Sequence, residues 1–208
     1  MIAAEIHKKL KAGSGLVDLH IKLKAERGSI TVIHGPSGAG KTTFLKILAG
    51  LITPDKGQIT VDSIIWLDTD KKINLSPQQR KAGFVFQNYA LFPNMNVRQH
   101  LEYATNDVEW INKLISIGKL QGHSDHKPDQ LSGGQQQRLA ILRAMANKPA
   151  LLLMDEPFSA LDQKTKAELM AELKTLWNNL QTTVIIVSHY PQELAGIGTQ
   201  ELYVGEEL

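Results

Sequence analysis

Nine consecutive residues, Gly35-Pro36-Ser37-Gly38-Ala39-Gly40-Lys41-Thr42-Thr43, constrain this chain more than any other stretch. They follow the β-branched run Ser29-Ile30-Thr31-Val32-Ile33 and precede Phe44-Leu45-Lys46-Ile47-Leu48-Ala49. Strand, glycine-rich turn and helix in that order are the setting of a P-loop. Glycines allow backbone N–H groups to turn inward around a polyphosphate, and the helix that follows adds its positive N-terminal end. In such a loop Lys41 reaches the β- and γ-phosphates and the Thr42 hydroxyl ligates Mg²⁺. Average residue usage gives the fixed positions by chance in roughly one in a hundred chains of this length, so a nucleoside triphosphate is the expected ligand rather than an ordinary turn.

Bulk properties narrow the function further. The 208 residues are 42% hydrophobic and 21% charged, which fits one folded domain with room for a subdomain. A formal charge of +2 gives no electrostatic case for nucleic acid or an anionic membrane surface as partner. The absence of cysteine excludes disulfides, zinc–thiolate sites and thiol nucleophiles. The N-terminus becomes charged too early for a signal-peptide core, and the apolar runs at 150–154 and 184–187 are far shorter than a bilayer span. Any role at a membrane is expected to come through a partner.

Residues 1–33 read as short strands with turns, and Gln58-Ile59-Thr60-Val61-Asp62 as a half-exposed antiparallel strand. Ser76–Arg80 reads as a helical turn, and Gly83-Phe84-Val85-Phe86 as a buried strand that ends at Gln87. The stretch 94–130 is polar and helical, with Val97–Ala104 and Val108–Ile117 as its helices. A helix over Gln135–Asn147, a buried strand at Leu151–Met154, a long amphipathic helix over Gln163–Leu180 and a buried strand at Val184–Val187 come next. A helical turn at Gln192–Ala195 and a strand at Glu201–Val204 close the chain. Buried strands alternating with helices indicate an α/β fold with a mainly parallel central sheet.

Leu131-Ser132-Gly133-Gly134-Gln135 is the rarest string, expected by chance in about two or three chains of this length in ten thousand. It opens a second helix with small residues, a serine hydroxyl and free N–H groups, which is anion-binding chemistry; it also reads as a plain N-cap by Ser132. With it, the chain resembles the ATP-binding subunits of ABC transporters, and the motifs occur in family order from Gly35 to His189. The Walker A motif matches Gly35–Thr42, the Q-loop glutamine Gln87, the signature Leu131–Gln135 and the Walker B strand Leu151–Asp155 followed by Glu156. The D-loop matches Ser159-Ala160-Leu161-Asp162, and the switch histidine matches His189.

The resemblance implies a RecA-like P-loop NTPase core with an N-terminal antiparallel β subdomain and a helical signature subdomain at about 90–145, all in one domain over 1–208. It implies ATP and Mg²⁺ as ligands, hydrolysis of the γ-phosphate, a head-to-tail dimer, a separate transmembrane permease, and a cytoplasmic location on the inner face of the cell membrane, held there through the permease. Asp155, at a strand end, can hold Mg²⁺ through water, and Glu156 beside it can polarise the attacking water; without the P-loop the pair reads as helix N-terminal charges. Gln87 alone is a solvated glutamine, and the resemblance makes it a contact to Mg²⁺ or to the attacking water. His189 alone is a structural histidine, and the resemblance brings it to the γ-phosphate. Ser132, Gly133, Gly134 and Gln135 are expected to complete the P-loop site of a second copy, with Asp162 at the seam.

The stretch Leu75–Pro93 resembles ATPase subunits of bacterial oxyanion importers, molybdate types first, with sulfate and spermidine/putrescine types nearby. Those often carry a C-terminal regulatory domain, which is expected to be absent from a chain that ends about 19 residues after His189. Exporter-type, DNA-repair and translation ATPases of the same family are the alternatives. The short distance from Gln87 to Leu131 leaves no room for a repair-type coiled coil. Tyr89-Ala90-Leu91-Phe92-Pro93 reads equally as core or as a groove for a permease helix. His123-Ser124-Asp125-His126 carries metal-ligand residue types in a polar loop and reads as solvated. No Phe, Tyr or Trp precedes Phe44, so the family's adenine-stacking aromatic is absent; only His7 and aliphatic side chains are available, and weak adenine selectivity is expected.

Overall fold

The computed structural model describes residues 1–12, 15–189, 194 and 198–205. In chain order its elements begin with β1 (Ile2–Ala12), β2 (Gly15–Ala25), β3 (Ile30–His34), α1 (Lys41–Leu48), β4 (Lys56–Val61), β5 (Ile64–Asp68), β6 (Ile73–Asn74), α2 (Pro77–Arg80) and β7 (Gly83–Val85). They continue with α3 (Val97–Glu102), α4 (Val108–Ile117), α5 (Gly133–Met145), β8 (Leu151–Asp155), α6 (Gln163–Leu180), β9 (Thr183–Val187) and β10 (Gln200–Tyr203). The helical turn expected at Gln192–Ala195 lies, except for Leu194, outside the described residues.

The strands form two sheets. One is antiparallel, in the order β2-β1-β4-β5-β6. The other is parallel throughout, in the order β10-β3-β9-β8-β7. The short strands expected over 1–33 are instead a hairpin of two 11-residue strands. Their outer face is charged (Glu5, Lys9, Lys22, Lys24), so only alternate residues (Ile2, Ala4, Ile6; Leu19, Ile21, Leu23) report burial. An alternation diluted by charge reads as broken even where the pairing runs on.

Period-two geometry divides the central sheet between two cores. Val32, Leu152, Met154, Val184 and Ile186 face a core shared with α3 to α6, while Ile33, Leu151, Leu153, Ile185 and Val187 face one shared with the hairpin and α1. The helix after the P-loop is therefore held between the two sheets. Phe44, Leu45, Ile47 and Leu48 are fully buried, so this eight-residue helix is apolar on more than one side. Its C-terminal carbonyls, Ile47 O and Leu48 O, accept from the buried Arg80 guanidinium at 2.7 and 2.8 Å. Burial without a carboxylate partner pushes that guanidinium down to about 10.

Candidate functional site

Parallel registers bring the motif residues to one end of the central sheet. Ile33 pairs with Val187 and Asp155 with Val187, so β3, β8 and β9 release Gly35, Glu156 and Ser188 side by side. This is the carboxyl end of parallel strands, where open α/β sheets bind ligands. The loop Gly35–Gly40 leaves β3 there with Pro36, Ser37 and Gly38 exposed, and delivers Lys41 and Thr42 at the start of α1, with Thr43 behind them. Gly35, at φ 145°, is required sterically: a Cβ would lie 1.9 Å from the Val204 carbonyl oxygen. At Gly40 a Cβ would meet Leu10 and Leu19 at 2.9 Å, which puts these hairpin side chains against the loop.

Lys41 is buried, and its ammonium donates to the Gly35 and Pro36 carbonyls at 2.7 and 2.8 Å. Burial lowers its pKa, opposed by the charges of Glu156 and Asp155. Thr42 Oγ1 donates to Asp155 Oδ2 at 2.8 Å across a sequence separation of 113 residues. Asp155 is buried, its pKa is raised first by that burial, and its Oδ1 has no hydrogen-bond partner. A buried carboxylate oxygen left unpaired beside a hydroxyl ligand is the donor set of a hard divalent cation such as Mg²⁺, so the residues present fit one.

Glu156 takes a left-handed backbone (φ 49°), and its N–H donates to Val187 O at 3.0 Å. That turn aims its carboxylate at His189, whose Nε2 lies 2.8 Å from Oε1. A non-glycine residue held in this region marks a place where structure is spent on geometry. Gln87 is exposed, two residues past β7, and no hydrogen bond among the described residues joins it to Thr42 or Asp155.

The signature residues gather elsewhere. Ser132 and Gln135 form a capping box on α5: Gln135 N donates to Ser132 Oγ at 3.3 Å, and Ser132 N to Gln135 Oε1 at 2.8 Å. Gly133 and Gly134 lie against Ala160 and Leu161 of the D-loop, and Gln135 Nε2 stands 3.0 Å from His123 Nε2. Among the described residues these four make no hydrogen bond to the P-loop. Asp162 caps α6, accepting from Thr165 N at 2.9 Å and Thr165 Oγ1 at 2.6 Å. Those bonds, the hydroxyl's first, hold its carboxyl below the ordinary value.

Other expectations change. His7 lies on the outer face of β1, stacked on His20 with ring centroids 3.8 Å apart, whereas Leu10 and Leu19 face Gly40; His7 is thus not placed to stack on a base in the P-loop. His123 and His126 are half-buried, edge to face at 5.1 Å, and not solvated as expected. Tyr89 and Leu91 pack on the core, as the core reading expects, and Phe92 stays exposed. Gln137, which sequence reasoning passed over, is fully buried and donates to Glu156 O and Ser159 Oγ, each at 3.3 Å, while accepting from Ala160 N at 3.1 Å. Its signal was a polar residue on the stripe shared with Ala140 and Ile141, where an amide must find buried partners.

Known proteins match this arrangement. The sulfate/thiosulfate import ATP-binding protein CysA of Mesostigma viride is 44% identical over 189 residues, 87% of this chain and 53% of that protein. The spermidine/putrescine import ATP-binding protein PotA of Fusobacterium nucleatum is 42% identical, over 85% of this chain and 48% of its own. The molybdenum import ATP-binding protein ModC of Mesorhizobium japonicum is 36% identical, over 95% and 55%. The chain thus spans about half the length of these relatives. Among solved structures, a dimeric bacterial ABC transporter cassette superposes with TM-score 0.81 at 34% identity, covering 98% of this chain and 94% of that one. The same cassette in a post-hydrolysis state with ADP and Pi superposes with TM-score 0.82 at 33% identity, with the same coverage. The ABC transporter family pattern matches residues 19–159, and the chain belongs to that family.

Proposed function

We propose that the chain is the ATP-binding subunit of an importer, which binds and hydrolyses ATP with Mg²⁺ in a head-to-tail dimer and powers transport through a separate membrane permease. One observation carries this reading: Thr42 from the P-loop meets Asp155 from β8 at 2.8 Å, with one Asp155 oxygen left unpaired. The relatives named above are import ATP-binding proteins for sulfate/thiosulfate, spermidine/putrescine and molybdenum. An oxyanion such as molybdate is the proposed cargo, resting on the resemblance of Leu75–Pro93. The proposed unit is one domain over 1–208, with a helical subdomain at about 90–145. Its proposed location is the cytoplasmic face of the membrane, held by the permease. No helix among the described residues is long and apolar enough to cross a membrane. Phe92 and Tyr103, exposed with rings 5.4 Å apart, offer that partner an apolar contact.

In this reading the backbone of Gly35–Gly40 and Lys41 hold the phosphates, with Thr43 closing the first turn of α1. Thr42, Asp155 and Gln87 would hold Mg²⁺, which would neutralise phosphate charge when bound. Glu156 polarises a water toward the γ-phosphorus; the bond to the β-γ bridging oxygen breaks, releasing ADP and inorganic phosphate. His189 holds the Glu156 carboxylate and stabilises the charge that builds on the γ-phosphoryl oxygens. Ser132, Gly133, Gly134 and Gln135 of a second copy close over the same phosphates.

Glu156→Gln removes the charge that polarises water and keeps the shape of the site. It is expected to bind ATP, to lose steady-state turnover and to run as an ATP-dependent dimer in size-exclusion chromatography. Normal phosphate release by this variant would overturn the assignment.

A further inference from the structure

The outer face of the N-terminal hairpin carries a side-chain cluster that nucleotide chemistry does not use. His7 of β1 pairs directly with His20 of β2, and Glu5 lies two residues from His7 on the same face of β1. The rings are nearly parallel, at 3.8 Å and 16°. His20 Nε2 is 3.6 Å from Glu5 Oε1, and one ligand atom from each of the three residues falls within 4.8 Å of the others. This face borders a shallow cavity of about 390 Å³, lined also by Lys56, Gln58 and Asp68.

We propose that Glu5, His7 and His20 form a site for a divalent transition metal of the Zn²⁺ class, separate from the Mg²⁺ and ATP of the P-loop. The donor types decide the class: two imidazoles and one carboxylate suit Zn²⁺, whereas Mg²⁺ requires oxygen ligands. The geometry is within reach. Tetrahedral ligands at Zn–N distances of about 2.0–2.1 Å stand roughly 3.3 Å apart, so the present separations close by side-chain rotation. β1, which carries Glu5 and His7, is paired on both sides, between β2 and β4, and β2, which carries His20, is paired to β1 over its length. Lys22, now 3.0 Å from Glu5 Oε2, is exposed and free to swing away when the carboxylate turns to a cation. Exposure leaves the fourth position to water. Bound there, the metal joins β1 to β2 on the face opposite Leu10 and Leu19.

The test is titration of the nucleotide-free full chain with Zn²⁺, with excess Mg²⁺ present as a competitor for the Asp155 site. Isothermal calorimetry is expected to show one saturable Zn²⁺ per chain, lost in His7→Ala/His20→Ala and weakened in Glu5→Gln. The melting temperature should rise with Zn²⁺ in the parent chain and stay constant in the double variant. In a chelator selective for Zn²⁺ over Mg²⁺ the two proteins should hydrolyse Mg·ATP alike. X-ray absorption on the Zn²⁺-loaded parent provides a check that requires no variant, and two imidazoles in the first shell are expected. Absent saturable binding, binding retained by the folded double variant, or an all-oxygen shell would each overturn the site and leave His7 and His20 as an ordinary cross-strand stack.

Discussion

Gln137 governs the position of Glu156 without touching its carboxylate. Its amide grips the turn 156–160 at both ends, from inside α5. Gln137→Met keeps the length of the side chain and leaves the Ala160 N–H unpaired. It is expected to lower stability by about 1–3 kcal/mol in urea unfolding, and to reduce turnover while ATP affinity holds. Unchanged turnover would mean that the turn is held by its own backbone. At the same scale, burial raises the Asp155 pKa, and Thr42 Oγ1 donates the hydrogen bond that opposes it.

At the scale of elements, the loop after β7 depends on two side chains, the half-buried Arg143 and the buried His100. Arg143 of α5 donates to Ala90 O at 2.6 Å and to Tyr89 O at 3.0 Å, holding two residues with positive φ. His100 of α3 accepts from Phe92 N at 2.9 Å, and its Nδ1 is 2.7 Å from Asn96 O. That pattern needs a neutral imidazole. Burial lowers the His100 pKa first, the Asn96 contact opposes it, and the Arg143 charge adds to the lowering. A depressed folded pKa means that the unfolded chain binds more protons as pH falls below 6.5, so stability is lost from there downward. His100→Gln is expected to flatten the fall in melting temperature between neutral and acidic pH; an unchanged profile would assign the acid sensitivity elsewhere. In the hairpin, aliphatic Leu10 and Leu19 at the loop and an outward His7 leave the base without an aromatic partner among the described residues. Equilibrium binding should therefore give ATP and GTP affinities within about tenfold of each other. A larger preference for ATP would point to a base contact that these residues do not supply.

At the scale of the whole molecule, the P-loop and the signature helix belong to separate groups of contacts within one chain. If each site is shared between copies, Lys41→Ala chains and Ser132→Arg chains are each inactive alone. Mixed, they form a heterodimer with one intact pair: the P-loop of the Ser132→Arg chain and the signature of the Lys41→Ala chain. Turnover recovered on mixing, rising with protein concentration, is the expected result. Full activity of Ser132→Arg by itself would show that one copy suffices.

Contiguous chemistry was readable from the residues alone. The glycine loop between strand and helix, the capped signature helix, α4 over Val108–Ile117 and α6 over Gln163–Leu180 appear where their local pattern puts them, because turns, caps and amphipathic stripes are encoded within a few neighbouring residues. Faces and registers were not readable. The 11-residue hairpin, the outward turn of His7 and the burial of Gln137 depend on which side of a strand or helix meets another layer, and a shift of one residue reverses it. The sequence by itself determined that a phosphate-binding loop, two acidic residues and a histidine exist in order. Only the parallel registers of β3, β8 and β9 brought Thr42 onto Asp155 and Glu156 onto His189, because pairing between distant strands sets distances that spacing along the chain does not contain.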